Sequence, residues 1–128
     1  MTRYVDDPES LLPLSSTIFH ILLALVEGER HGYGIMQEAA RVSSGKVNLG
    51  PGTLYRSLRR LLSDGLIEES DERPAPELDD ERRHYYRLTP LGLRVAKAEA
   101  QRLAALVQTA SMKHLLPQPG TMTLEGGV

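Results

Sequence analysis

The chain has 128 residues, no cysteine and a formal net charge of −2, with 41% hydrophobic and 25% charged residues. This composition is typical of a one-domain globular protein and excludes disulfides, zinc–thiolate sites and thiol catalysis. The longest apolar run, residues 21–26, is too short to cross a membrane, and the acidic N-terminus does not resemble a signal peptide. We therefore expect a cytoplasmic protein with no membrane contact.

The charges are segregated along the chain. Residues 41–63 carry five cations and no acid, residues 68–81 carry eight acids and one arginine, and residues 82–103 carry six cations and one acid. Such a pattern says more about binding partners than the net charge does. The two basic stretches favour an anionic partner such as nucleic acid.

Two helices are predicted near the start of the chain. Residues 1–13 are acidic, contain two prolines and are predicted to form a flexible lead-in. The first helix is predicted to begin at Ser15 or Ser16, because a serine oxygen there accepts a free backbone N–H. The second helix is predicted to run from about Gly32 to Ser44.

A third helix and a β-hairpin are predicted next. In the connector before this helix, Val47 and Leu49 are expected to form a short strand. The helix begins at Pro51, whose missing N–H is not needed in a first turn, and ends near Asp64. Alternating patterns then predict two antiparallel strands joined by a long acidic loop. These strands are predicted at residues 66–70 and 84–89.

The last predicted helix is long. Thr89 is its cap and Pro90 its first residue. Residues 91–116 are assigned to this C-terminal dimerisation helix, and residues 117–128 to a disordered tail rich in proline and glycine. The predicted fold class is mainly α with a small β-hairpin, a winged helix-turn-helix DNA-binding domain over residues 14–90.

The third helix has one apolar side and one basic side. Its leucines recur at helical spacing, and its arginines fall on the opposite side. A DNA-reading helix needs this division, because one side holds it in the protein and the other enters a major groove roughly 12 Å wide. The alternative is an ordinary solvated helix. The lack of interleaved acids and the Arg82–Arg83 pair at the hairpin tip favour DNA.

Three segments resemble the PadR family of transcriptional regulators. They read HGYGIMQEA, GTLYRSLRRLLSDGLIEE and RRHYYRLTPLG, and their order and spacing match over about residues 15–110. The single short C-terminal helix is similar to the smaller subfamily. The resemblance implies a dimeric repressor that binds a partly palindromic operator in double-stranded DNA, with the first and last helices forming the dimer.

The resemblance also implies roles for individual residues. Thr53, Tyr55 and Arg56 would lie in the recognition helix, with Arg59 and Arg60 behind them. The complete set of expected DNA contacts is Tyr33, Lys46, Thr53, Tyr55, Arg56, Arg59, Arg60, Arg82 and Arg83. The expected dimer contacts are Ile18, Leu22, Val95, Leu103, Leu106 and Val107.

Other activities find little support in the sequence. The four histidines are scattered without ligand spacing, and no nucleophile elbow or phosphate loop is present, so we predict no metal, no cofactor and no enzyme activity. Some PadR regulators sandwich flat ligands with a tryptophan of the long helix, but this chain has no tryptophan. A small-molecule effector is left open. The alternative functions are a sensor acting through the dimer cavity and a module whose basic helix binds an acidic protein.

Overall fold

The computed structural model of the chain describes residues 7–70 and 84–117. These residues form a 3-10 helix at Pro8–Leu11, four α-helices and three short strands. In chain order the α-helices and strands are α1 Ser16–Val26, β1 Arg30–His31, α2 Gly32–Val42, α3 Pro51–Ser63, β2 Ile67–Ser70, β3 Tyr85–Leu88 and α4 Pro90–Met112. Residues 1–6 of the predicted lead-in, residues 71–83 of the hairpin loop and residues 118–128 of the predicted tail lie outside the described residues.

The predicted fold class is confirmed, with a larger sheet than expected. Three helices precede the antiparallel pair β2–β3, in which Ile67 lies opposite Leu88. A third strand, β1, pairs with the other side of β3, so the sheet order is β1-β3-β2. The strand predicted at Val47 and Leu49 is wrong. Leu49 is buried in the core within a connector that has no strand.

The helix starts follow from side chains that accept backbone hydrogen bonds. The Ser15 hydroxyl accepts one from the N–H of the third residue after it, at 3.2 Å, which fixes the start of α1. The His31 Nδ1 atom does the same for α2 at 3.1 Å. Helix α3 has no side-chain cap, since its N-cap residue is Gly50 and its first residue is Pro51. That end of α3 is therefore open to an external acceptor.

The core lies between α1, α2, α3, the sheet and the first half of α4. The leucines predicted for the inner side of α3 occupy it, because Leu54, Leu58 and Leu61 are at most 1% exposed. Leu22 of α1 and Val95 of α4 are also completely buried inside the single chain. Both were expected at a dimer surface, and this assignment needs correction because neither side chain reaches the surface.

The end of α3, the wing formed by β2 and β3, and α4 meet at one tight junction. Gly65 ends α3 with a φ of 76°, a conformation that favours glycine. The Thr89 hydroxyl donates to the Gly65 carbonyl oxygen at 2.6 Å, and the Thr89 N–H donates to the carbonyl oxygen of Leu66 at 3.1 Å. A Cβ at Gly92 would overlap that same Leu66 oxygen. The wing base is therefore held directly between α3 and α4.

The segment before α1 is anchored to α4. Its 3-10 helix is capped by the Asp7 carboxylate and packs on α4. The N–H of Leu14 donates to Glu99 at 3.1 Å, and Glu99 is itself 2% exposed and paired with Arg102 at 2.6 Å. The Arg102 guanidinium lowers the pKa of this buried carboxyl, more than burial raises it. Residues 8–11 of the predicted flexible lead-in are thus a packed part of the domain.

In the two stretches that the structure covers, no helix is long and apolar enough to span a membrane.

Candidate nucleic-acid interface

The outer side of α3 carries the basic face that the sequence predicts. Arg56 and Arg59 are exposed, while Leu54 and Leu58, which lie across the helix axis from them, are buried. Among residues 7–70 and 84–117, neither arginine forms an ion pair. These two guanidinium groups can therefore contact phosphate or guanine without first losing an internal partner among those residues.

Arg60 differs from the other two arginines of α3. Its Nε atom lies 3.6 Å from a carboxylate oxygen of Asp64, one helical turn further on. The Asp64 side chain is 7% exposed, whereas 65% of the Arg60 side chain remains accessible. Arg60 thus points toward one edge of the face and is partly neutralised by its own helix cap.

Tyr55 and Tyr33 lie near the ends of α3 and α2 that face the same surface. Tyr55 is 45% exposed, and its hydroxyl oxygen would be 3.0 Å from a Cβ placed on Gly32, the first residue of α2. Tyr33 is 58% exposed in the first turn of α2. Tyr55 therefore packs the first turn of α3 against the first turn of α2, and Thr53 is exposed in the first turn of α3.

An aromatic cluster connects α2 to the wing. The ring of His31 stacks on Tyr33 with centroids 6.4 Å apart and meets the edge of Tyr85 at 5.4 Å. Tyr86, the next residue in β3, turns to the core, and burial raises the pKa of its hydroxyl. Sequence reasoning did not find this cluster, because β1 is only two residues long and carries no strand pattern.

The remaining predicted contacts are distributed unevenly. Lys46 is exposed in the turn between α2 and α3. Arg41, which adds to the positive charge of the basic stretch, instead forms two hydrogen bonds with Glu38, at 2.9 and 2.8 Å, and lowers the pKa of that carboxyl. Arg82 and Arg83 of the predicted wing tip lie outside the described residues. Of the predicted DNA contacts, Lys46, Arg56 and Arg59 are thus the exposed cations that form no ion pair within residues 7–70 and 84–117.

A second surface lies on α4. Its buried residues, Gly92 to Glu99, all fall in the first half of the helix. The same side of the helix continues through Leu103, which is half-buried, to Leu106 and Val107, which are each 55% exposed. The apolar stripe of α4 is thus covered by the rest of the chain in the first half of the helix and is exposed in the second half.

Over the stretches 7–70 and 84–117, no group of three or more histidine, aspartate or glutamate side chains could hold a metal ion.

A helical core with an exposed basic third helix and an adjacent antiparallel wing defines a winged helix-turn-helix protein. The model of the transcriptional regulator PadR-like family matches residues 21–98, which are more than half of the chain. The chain belongs to this family of transcriptional regulators.

Two relatives are similar in sequence. Transcriptional regulator Rv3488 of Mycobacterium tuberculosis is 40% identical over 83 residues, 65% of this chain and 70% of that protein. A 37.1 kDa protein in transposon TN4556 of Streptomyces fradiae is 35% identical over 86 residues, 67% of this chain but 22% of the relative. The chain therefore matches about a fifth of the length of the transposon protein.

Solved structures show the same fold. A PadR family regulator of Clostridium difficile is similar with a TM-score of 0.62 and 23% identity, covering 77% of this chain and 97% of that one. RosR of H. salinarum is similar with a TM-score of 0.57 and 26% identity, covering 91% of both chains.

Proposed function

We propose that this chain is a sequence-specific DNA-binding repressor that acts as a homodimer on a partly palindromic operator. The observation that carries the proposal is the outer face of α3. There, Arg56 and Arg59 are exposed and form no ion pair within the stretches that the structure describes, while three leucines opposite them are buried. A helix whose apolar side is buried in the domain and whose other side presents arginines to solvent is suited to bind in a major groove.

In the proposed complex, α3 lies in the major groove with its N-terminal end toward the bases. Thr53 and Tyr55 occupy that end, and both are exposed. Arg56 follows Tyr55 directly and Arg59 lies about one turn further on, where a guanidinium can pair with guanine or with phosphate. Lys46 and Tyr33 lie in the neighbouring turn and helix, where they would contact the phosphates that flank the groove.

The proposed dimer uses the apolar stripe of α4. Leu103, Leu106 and Val107 continue the buried side of that helix into solvent, and Ala104 and Ala105 beside them are small enough for a second helix to approach closely. Ile18 of α1 is half-buried and was expected in the same interface. Two copies joined in this way would present two α3 helices to half-sites about 34 Å apart.

The repressor role rests on the resemblance to PadR regulators, and with it we propose a cytoplasmic protein without enzyme activity. A bound dimer represses when its operator overlaps a promoter.

The test is a titration of fluorescent duplex DNA at two salt concentrations. Genomic fragments that bind and scrambled duplexes of equal length are compared by anisotropy. We expect tighter binding to the selected fragment and a steep loss of affinity with salt, because each phosphate contact releases a counterion. Equal binding to both duplexes would reject sequence-specific recognition and favour an acidic protein as the partner of the basic helix.

A further inference from the structure

A groove of about 360 Å³ runs along one edge of α3. The segment before α1 forms its opposite wall, and the side chains of Leu11, Leu14, Ile18 and Leu61 line it. This volume falls within the range of roughly 300–1,000 Å³ found for small-molecule sites. No residue of the α4 stripe lines the groove, although Ile18, which was expected in the same dimer interface, does.

The rim of the groove is cationic. Arg56 and Arg60 both line it, and the carboxylate of Asp64 is the single acid among the lining residues that the structure describes. Asp64 lies 3.6 Å from the Nε atom of Arg60, so it neutralises part of one guanidinium and leaves a formal excess of one positive charge. An arginine pair beside an apolar wall matches a ligand with an anionic head and an apolar body.

The lining residues also constrain the shape of that body. Among residues 7–70 and 84–117, the lining includes leucine, isoleucine and proline but no aromatic side chain. These residues offer a flat ring no face to stack on, whereas a flexible alkyl chain can follow the surface of branched aliphatic side chains. The far wall is preformed, because the Leu14 N–H is fixed to the buried Glu99 at 3.1 Å.

We propose that this groove binds an aliphatic carboxylic acid, with its carboxylate at Arg56 and Arg60 and its alkyl chain along Leu11, Leu14 and Ile18. Binding would occupy an arginine of the DNA-contacting face and add negative charge beside it. The acid would therefore compete with DNA, a consequence that rests on the proposed function. The binding site itself does not depend on it.

Decanoate is the probe, and equilibrium dialysis against the full chain without DNA is the measurement. We expect saturable binding of one decanoate per chain. Decanol, which has the tail without the charge, and acetate, which has the charge without the tail, should each bind at least about tenfold more weakly.

Two variants locate the site. Ser57 is half-buried and lines the groove, so Ser57→Phe should fill it and abolish decanoate binding. Ser63→Phe adds the same bulk at an exposed position of the same helix outside the groove lining and should bind like the wild type. Arg60→Gln removes charge without adding volume and should weaken binding about tenfold or more, so it tests the site even if Ser57→Phe fails to fold.

The outcomes separate this inference from the proposed function. Saturable binding that Ser57→Phe or Arg60→Gln removes supports the groove even if the chain ignores DNA, in which case the proposed function alone fails. If DNA binds, decanoate should weaken that binding for the wild type and not for Ser57→Phe. No saturable binding, or equal binding by the wild type and a folded Arg60→Gln variant, would overturn the inference.

Discussion

The buried carboxylate of Glu99 in α4 accepts a hydrogen bond from the backbone N–H of Leu14, at 3.1 Å and across 85 positions of sequence. The same carboxylate holds Arg102 through two further hydrogen bonds, at 2.6 and 3.0 Å. This contact joins the wall beside α3 to the helix proposed to form the dimer. Glu99 therefore fastens the segment before α1 to the buried half of α4.

Replacing Glu99 with glutamine should lower the free energy of unfolding by about 1–3 kcal/mol, since charge-assisted hydrogen bonds become neutral ones in a buried place. Urea denaturation at neutral pH and fixed protein concentration measures this. Glu27→Gln, at an exposed position, is the matched control and should change stability little. Equal stability of both variants would contradict the anchoring role.

The same pair predicts a dependence on pH. The Arg102 guanidinium holds the pKa of Glu99 below its usual value of 4.5 in the folded chain. Its contribution to stability is therefore complete above that value and is lost as the pH falls through the lower, folded pKa. The stability difference between the wild type and Glu99→Gln should shrink below pH 4.5. A difference that stays constant to lower pH would show that the charge of Glu99 is not responsible.

Gly92→Ala should destabilise the domain by about 1–3 kcal/mol or more, because the added methyl group would overlap the Leu66 carbonyl oxygen and force α4 away from the wing base. Thermal unfolding followed by circular dichroism measures the loss. Gly52→Ala is the control, since a Cβ at that position meets no other atom within 4 Å. If the two variants melted alike, the close packing at Gly92 would be refuted.

Arg59→Ala and Arg56→Ala should each weaken operator binding by about 1–3 kcal/mol when the arginine contacts a base, and should reduce the salt dependence by about one ion when it contacts phosphate. Both side chains are exposed, so the fold should be unchanged. Arg94→Ala removes an exposed cation from α4, away from α3, and should bind DNA normally. Unaltered affinity in both α3 variants with an intact circular dichroism spectrum would place DNA recognition elsewhere.

Leu106→Glu should convert the proposed dimer into a monomer, because it places a charge in the centre of the apolar stripe. Light scattering at micromolar concentration gives the mass, against 14.2 kDa for one chain. Gln108→Glu introduces the same charge on the opposite side of α4 and should remain dimeric. A wild-type protein that runs as a monomer would contradict the interface itself.

The sequence predicts those features that repeat or that need a particular residue type. The periodic leucines of α3 identify its inner side, and Leu54, Leu58 and Leu61 are buried as that period requires. Ser15 and Thr89 are found as helix caps because only an oxygen-bearing side chain suits that position. Helix boundaries and the wing pair follow from such local signals.

Contacts between distant segments were not predictable in the same way. Strand β1 has two residues and no alternation, and its pairing with β3 depends on where α1 ends in space. Leu22 and Val95 are apolar residues at helical spacing, and that pattern is the same for a dimer contact and for a core residue. Only the packing of the folded chain shows that both are buried. Arg41 likewise counts as a free positive charge in the sequence, but in the folded chain its charge is offset by an ion pair with Glu38.

Sequence-specific DNA binding is tested most directly by selecting genomic fragments with the purified full chain and sequencing them. We expect enrichment of an inverted repeat whose half-sites lie about 10 base pairs apart or a multiple of that, matching two α3 helices in one dimer. The Arg56→Ala, Arg59→Ala double variant should lose that enrichment. No enrichment by the wild type over random fragments would contradict sequence-specific DNA binding by this chain.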